Sequence, residues 1–141
     1  MVHVFYQDIE VLDLDPEFFV SWLSIVVNKE GWTLGDINLV FCSDEYLLNM
    51  NREHLKHDYY TDIITFDYTE SEIISGDLFI SVDRVKENAQ ENSVMFHVER
   101  NRVVGHGVLH LMGYKDKTES EQEEMTRKEN WALSLIVPRE T

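Results

Sequence analysis

His106-Gly107-Val108-Leu109-His110-Leu111-Met112-Gly113-Tyr114-Lys115-Asp116 is the stretch on which the fold turns. Two histidines at i and i+4 stand one turn apart on one helix face, so both imidazoles can address a single ion. Gly113 ends the helix, because glycine readily takes the left-handed conformation required there. The chain can then bend back and bring Asp116 to the same point. Two histidines and one carboxylate leave a fourth coordination position for water, as in catalytic rather than structural zinc sites. Advancing about 100° per residue from His106, the apolar side chains at 103, 104, 108, 109, 111 and 112 surround much of the axis. Such a helix lies inside its domain. A metal site of His106, His110 and Asp116 is therefore expected at the end of a buried central helix, in a metal-dependent hydrolase whose nucleophile is metal-bound water.

Working outward, Ser93 is expected to cap this helix, over 94–112, and Asp83 to cap a polar helix running to about Asn92. Four strands precede them. Residues 2–7 read as the first, and Asp15-Pro16 then starts a helix to about Glu30, stopped by Gly31. After Gly35-Asp36, Ile37 to Cys42 reads as the second strand, and Ser43-Asp44 caps a helix carrying Tyr46, Leu47, Leu48 and Met50. A charged loop, His54 to Tyr60, leads to a β-branched and aromatic third strand, Asp62 to Tyr68. Ser75-Gly76 opens a fourth, Asp77 to Ser81, close enough in sequence to pair antiparallel with the third. A last helix, about Glu119 to Ile136, stops before Pro138. This order predicts an α+β fold, a small mixed β-sheet of about four strands covered by about five helices. Strand order is not readable.

The length of 141 residues suits one domain, 1–141, and the 43% hydrophobic share suffices for a core. The amino terminus lacks a basic and apolar leader, and no run approaches the roughly 18 apolar residues of a membrane span. No membrane association and a cytoplasmic location are expected. Cys42 is the only cysteine, which excludes an internal disulfide, and its strand-end setting reads as a small buried hydrophobe rather than a nucleophile. The net charge of −15 argues against nonspecific nucleic-acid binding. Basic residues gather as Lys56-His57, Arg84 with Lys86, Arg100 with Arg102 and Lys115 with Lys117, so a polarised surface would still accommodate an anionic substrate.

Zinc peptidases with a third ligand six residues after the second histidine share this spacing, yet they carry a general-base glutamate where this chain has Gly107. The segment instead resembles the signature of the YbeY endoribonuclease family of rRNA maturation factors, H-G-x-L-H-L-x-G-Y-D-H. The resemblance extends to Asn51, Asp58, Thr61-Asp62-Ile63-Ile64-Thr65-Phe66 and Gly76-Asp77-Leu78-Phe79-Ile80-Ser81, in order and spacing, and so covers most of residues 36–117. It implies a metal-dependent endoribonuclease specific for single-stranded RNA, acting in 16S rRNA 3′-end maturation and ribosome quality control. The implied cofactor is one divalent ion, usually zinc, and the implied partner the small ribosomal subunit or its precursor.

Two positions depart from the family pattern. Lys115-Asp116 replaces Asp-His, so an oxygen donor stands at the third ligand position, which widens the choice of metal. The family's arginine, suited to a phosphate oxygen, falls on Leu55. Lys56, His57 and Arg102 are the candidate cations to take its duty.

Among other residues, Glu99 and Arg102 lie within about 40° of the metal face and could orient ligands or pair with each other, or Glu99 could face solvent at the helix start. His97 lies on the opposite side. His54 and His57 read as an exposed loop, and Trp22, Trp32 and Trp131 as packing residues, since no basic cluster interleaves them. Two further functions stay open: a metallo-hydrolase of peptides or small amides, which Gly107 counts against, and a catalytically weakened ribosome-assembly factor, suggested by Leu55 and Asp116.

Overall fold

A computed structural model describes residues 1–136. In chain order it contains β1 (Val2–Tyr6), α1 (Pro16–Lys29), β2 (Thr33–Cys42), α2 (Asp44–His54), β3 (Ile63–Asp67), β4 (Ile73–Ser81), α3 (Val82–Glu91), α4 (Phe96–Leu111) and α5 (Glu119–Ser134). The sheet has the order β1-β2-β4-β3. β1, β2 and β4 run parallel, and β3 closes one edge antiparallel to β4. The expected α+β architecture with a small mixed sheet is the one found.

Strands alternate their side chains between two helical layers. Leu78 and Ile80 of β4 join the main core with α1, α3 and α4, while Phe79, with Ile64 and Phe66 of β3, packs beside Leu47 and Tyr46 of α2. On α4, Val103, Val104, Val108, Leu109 and Leu111 are all buried, each worth roughly 1.5–3 kcal/mol of burial. α4 is thereby fixed between the sheet and α5, which buries Met125 and Ala132 and accepts a hydrogen bond from the Trp22 indole at the Ala132 carbonyl, 2.8 Å. Among the described residues no helix is long and apolar enough to cross a membrane.

Several element boundaries differ from the sequence expectation. β2 begins at Thr33 and β4 at Ile73, because Thr33 and Leu34 pair with Ile73 and Ile74 before the register shifts between Leu34 and Ile37. Gly35-Asp36 is thus an irregularity inside a strand, not a turn. A Cβ on Gly35 would meet Ser75 Oγ at 2.5 Å and the Ile74 carbonyl at 2.9 Å, so the strand contact there requires glycine. Ser81, not Asp83, caps α3 by accepting the Arg84 amide at 3.1 Å. Asp83 instead accepts the amide of Asp44 at 2.8 Å and serves the first turn of α2. Ser93 does not cap α4 either. It takes a left-handed φ of 54° and ends the turn after α3, and α4 starts from Met95 without a side-chain cap. α5 stops at Ser134, short of the expected end at about Ile136, and Pro138 lies outside the described residues.

Candidate metal centre

His106 and His110 occupy the last two turns of α4, held by the packing just described. Their Nε2 atoms stand 2.9 Å apart, and Asp116 Oδ2 lies 3.3 Å from His106 Nε2 and 3.2 Å from His110 Nε2. The turn that delivers Asp116 has a specific cause. Gly113, at φ 97°, donates to the His110 carbonyl at 3.0 Å, and Tyr114 donates to the Leu109 carbonyl at 3.1 Å, the paired bonds of a Schellman termination. A Cβ on Gly113 would meet nothing within 4 Å, so the backbone angle alone calls for glycine.

The opposite ring nitrogens are also occupied. His110 Nδ1 is 2.8 Å from the Tyr114 carbonyl, which can only accept, so Nδ1 carries the proton. His106 Nδ1 is 2.7 Å from Glu129 Oε2 of α5 and donates in the same way. Both Nε2 lone pairs and a carboxylate oxygen therefore face one another. With both rings neutral such a set repels itself unless a shared proton or a metal ion stands among it, and its donor atoms fit a divalent ion. Ligand atoms about 2.0–2.1 Å from one tetrahedral ion stand about 3.3–3.4 Å from each other, close to both Asp116 distances and somewhat longer than the imidazole separation. Among the described residues, His106, His110 and Asp116 form the cluster that could hold an ion.

Charge around the cluster is arranged in layers. Burial disfavours the charged form of His106, but the bond to Glu129 and the carboxylates of Glu129, Asp62 and Asp116 outweigh it, and the pKa is raised. Burial likewise pushes Glu129 up, but its bonds to His106 and Arg102 prevail and hold it low. Arg102 reaches Glu129 Oε1 at 2.9 Å and Asn130 Oδ1 at 2.7 Å. Asp62, at the mouth of β3, is pushed up chiefly by burial, against the opposing pull of His106.

An open cleft of about 340 Å³ contains the cluster, its walls including Leu55, His57, Tyr59, Asp62 and Lys117. Of the three cations singled out from sequence, His57 lines this cleft, Arg102 is committed to Glu129, and Lys56 is exposed with a left-handed φ of 56°. Two arginines of the expected basic patches, Arg84 and Arg102, are ion-paired to carboxylates. Arg84 is engaged by Asp44, and Arg100 is bonded to Asn101 and stacked on Phe19. Lys117 lines the cleft and, among the described residues, has no ion pair; sequence reading did not single it out for the site. Glu99 is buried beside Asn92, 3.5 Å away, rather than ion-paired with Arg102. His97 and His54 are exposed, the latter edge-on to Phe66. Trp22 is core, and Trp131 lies under the Lys128 ammonium at 4.5 Å.

Gly107 points away from the cleft, toward the sheet. A Cβ there would lie 2.0 Å from Leu78 Cδ2 and 2.8 Å from Ile63 Cδ1, so glycine permits the close seating of α4 and leaves no room for a glutamate. Glu129, the residue that sequence reading missed, had a visible signal. It sits between Met125 and Ala132 on the buried stripe of α5, where a carboxylate needs a partner.

The family model described as "Endoribonuclease YbeY" matches residues 8–136. The chain belongs to the YbeY family. Relatives named endoribonuclease YbeY include one from Cytophaga hutchinsonii, 55% identical over 116 residues, covering 82% of this chain and 81% of the relative. One from Parabacteroides distasonis is 46% identical over 130 residues, 92% of each chain, and one from Flavobacterium johnsoniae is 45% identical over 136 residues, 96% and 97%. A solution structure of a Thermotoga maritima protein shares the YbeY chain's fold, with TM-score 0.66, 24% identity and coverage of 96% of this chain and 89% of that one.

Proposed function

We propose that this YbeY family member is a divalent-metal-dependent endoribonuclease that hydrolyses phosphodiesters in single-stranded RNA, with the 3′ end of 16S rRNA, on the small ribosomal subunit or its precursor, as its substrate. His106, His110 and Asp116 hold the ion, zinc being the first choice. The observation that carries this is the convergence of three acceptor atoms within 3.3 Å of one another, with the outward nitrogens of both rings already engaged. Family membership supplies the reaction class.

A divalent ion bound there supplies Lewis acidity toward a phosphoryl oxygen and acidifies water. The chain's own residues do the positioning. Glu129 and the Tyr114 carbonyl fix the tautomers that turn both Nε2 lone pairs inward, Arg102 keeps Glu129 charged and in place, and Lys117 and His57 offer the cleft's donors to phosphate oxygens. A standard zinc-peptidase mechanism is disfavoured because the position beside His106 is packed on the sheet. A merely structural assembly role is disfavoured by a ligand cluster kept intact despite Asp116 standing where the family has histidine. One buried, unpaired cysteine suits the cytoplasm.

The test is metal content of the purified protein beside His110→Ala and Asp116→Ala variants, followed by cleavage assays on single-stranded RNA, duplex RNA and a peptide library. Cleavage confined to single-stranded RNA and lost with the metal is the expected result. Undiminished metal in Asp116→Ala would remove Asp116 from the ligand set.

A further inference from the structure

Asn51 is buried at the end of α2 and organises the loop that follows it. Its side-chain amide donates to the Tyr59 carbonyl at 2.9 Å, and its own carbonyl accepts the amides of Leu55 and His57 at 3.1 and 3.0 Å. The left-handed Lys56 lets the chain reverse between those two bonds. Held this way, His57 and Tyr59 stack on each other, ring centroids 5.2 Å apart and planes 19° apart, joined by a hydrogen bond between Tyr59 Oη and His57 Nδ1 at 3.0 Å. Tyr59 is 55% exposed and Leu55 42%, yet both line the cleft that contains His106, His110 and Asp116.

Resting on the endoribonuclease reading, we propose that the His57–Tyr59 pair is a stacking platform for an unpaired nucleobase beside the scissile phosphate. Every base has a π-face, so a platform of this kind accepts bases without strong sequence preference. In a duplex those faces are covered by neighbouring base pairs, whereas an unpaired base can be splayed onto an aromatic ring. The platform thus selects for single strands by the availability of a base face. The cleft, about 340 Å³, lies at the lower end of small-ligand sites, a scale that suits a nucleotide unit rather than a helix. Leu55, exposed in the same cleft, adds apolar surface to it.

The test uses the full chain with its divalent ion and a short single-stranded RNA from which one base at a time is removed. At one position beside the cut, base removal lowers kcat/KM of the parent about ten-fold, within the range of base–aromatic stacking. Tyr59→Ala loses a similar factor on intact RNA and no longer responds to removal of that base, while Tyr59→Phe, which keeps the ring, recovers most of the loss. If the two losses multiply independently, or no base position matters, the platform is wrong. A second reading needs no turnover: 2-aminopurine placed at each position in turn is titrated with protein in chelator, and its fluorescence is quenched by the parent but not by Tyr59→Ala. If the parent cuts no RNA, the endoribonuclease reading falls separately. The titration still decides the platform, since quenching that ignores Tyr59, or no quenching at any position, overturns it.

Discussion

Glu129 of α5 lies 2.7 Å from His106 Nδ1 of α4, so the imidazole's orientation depends on a helix that follows the signature segment. Carboxylates behind metal-binding histidines typically account for about 10–100-fold in metal affinity. Glu129→Ala is accordingly expected to weaken metal binding by that order, with Glu129→Gln intermediate because its amide oxygen still accepts the Nδ1 proton. Competition against a chelator of known affinity measures it. Equal affinities for parent and Glu129→Ala would mean that helix packing alone orients His106.

Two glycines of α4 are expected to respond differently to alanine. At Gly105 the nearest atom to a new Cβ is Trp22 Cη2 at 3.5 Å, an ordinary contact, so the helix-propensity gain of up to about 1 kcal/mol appears as added stability. At Gly107 the new methyl invades Leu78, itself fully buried, and overpacking of about 1–3 kcal/mol cancels or exceeds that gain. Thermal melts of Gly105→Ala and Gly107→Ala compare the two directly. A Gly107→Ala protein as stable as Gly105→Ala would show that α4 is not seated on the sheet as closely as described.

The contrast between these glycines also marks what the sequence could disclose. Helical periodicity predicted the buried course of α4, and the offset of Gly113 and Asp116 from His110 predicted the bend, because both are local properties of the chain. Gly107's packing against Leu78 and Ile63, and Glu129's bond to His106, join elements far apart in sequence, and only the tertiary fold brings them together. The boundary errors have the same origin. Gly35-Asp36 carries ordinary turn chemistry, but pairing of Leu34 with Ile74 overrides it, and Ser93 is a good helix cap by type whose backbone was already committed to ending the preceding turn. The loop aromatics, His57 and Tyr59, gave no periodic signal at all; their stacking follows from three hydrogen bonds made by Asn51.

Cys42 is fully buried, and its thiol is pushed up to about 12, first by burial and then by Asp8, Asp83 and Asp44. Because the thiolate is the reactive form, Cys42 is expected to resist alkylation in the folded protein at pH 8 and to react fully in urea. Stoichiometry of iodoacetamide labelling by mass spectrometry checks this. Rapid native labelling would show that the β2 end opens readily.

Glu99 offers a pH-dependent test at a residue outside the proposed ligand set. Burial raises its pKa from the ordinary 4.5, against the smaller opposing effects of the Asn92 amide and Arg102. The folded state therefore holds this proton more tightly than the unfolded state does. The sign follows from linkage: stability associated with Glu99 is complete below about pH 4.5 and is lost as pH rises through the folded value. Glutamine copies the neutral acid's shape and cannot ionise. Glu99→Gln is thus expected to be more stable than the parent at pH 7, with the advantage shrinking as pH falls toward 4.5. Urea denaturation of both proteins at stepped pH reads the difference, in which the titrations of carboxylates not coupled to Glu99 cancel; Asp62 and Glu129 are coupled to it. A parent that instead gains on the variant as pH rises would show that the positive charge of Arg102 outweighs the effect of burial at Glu99.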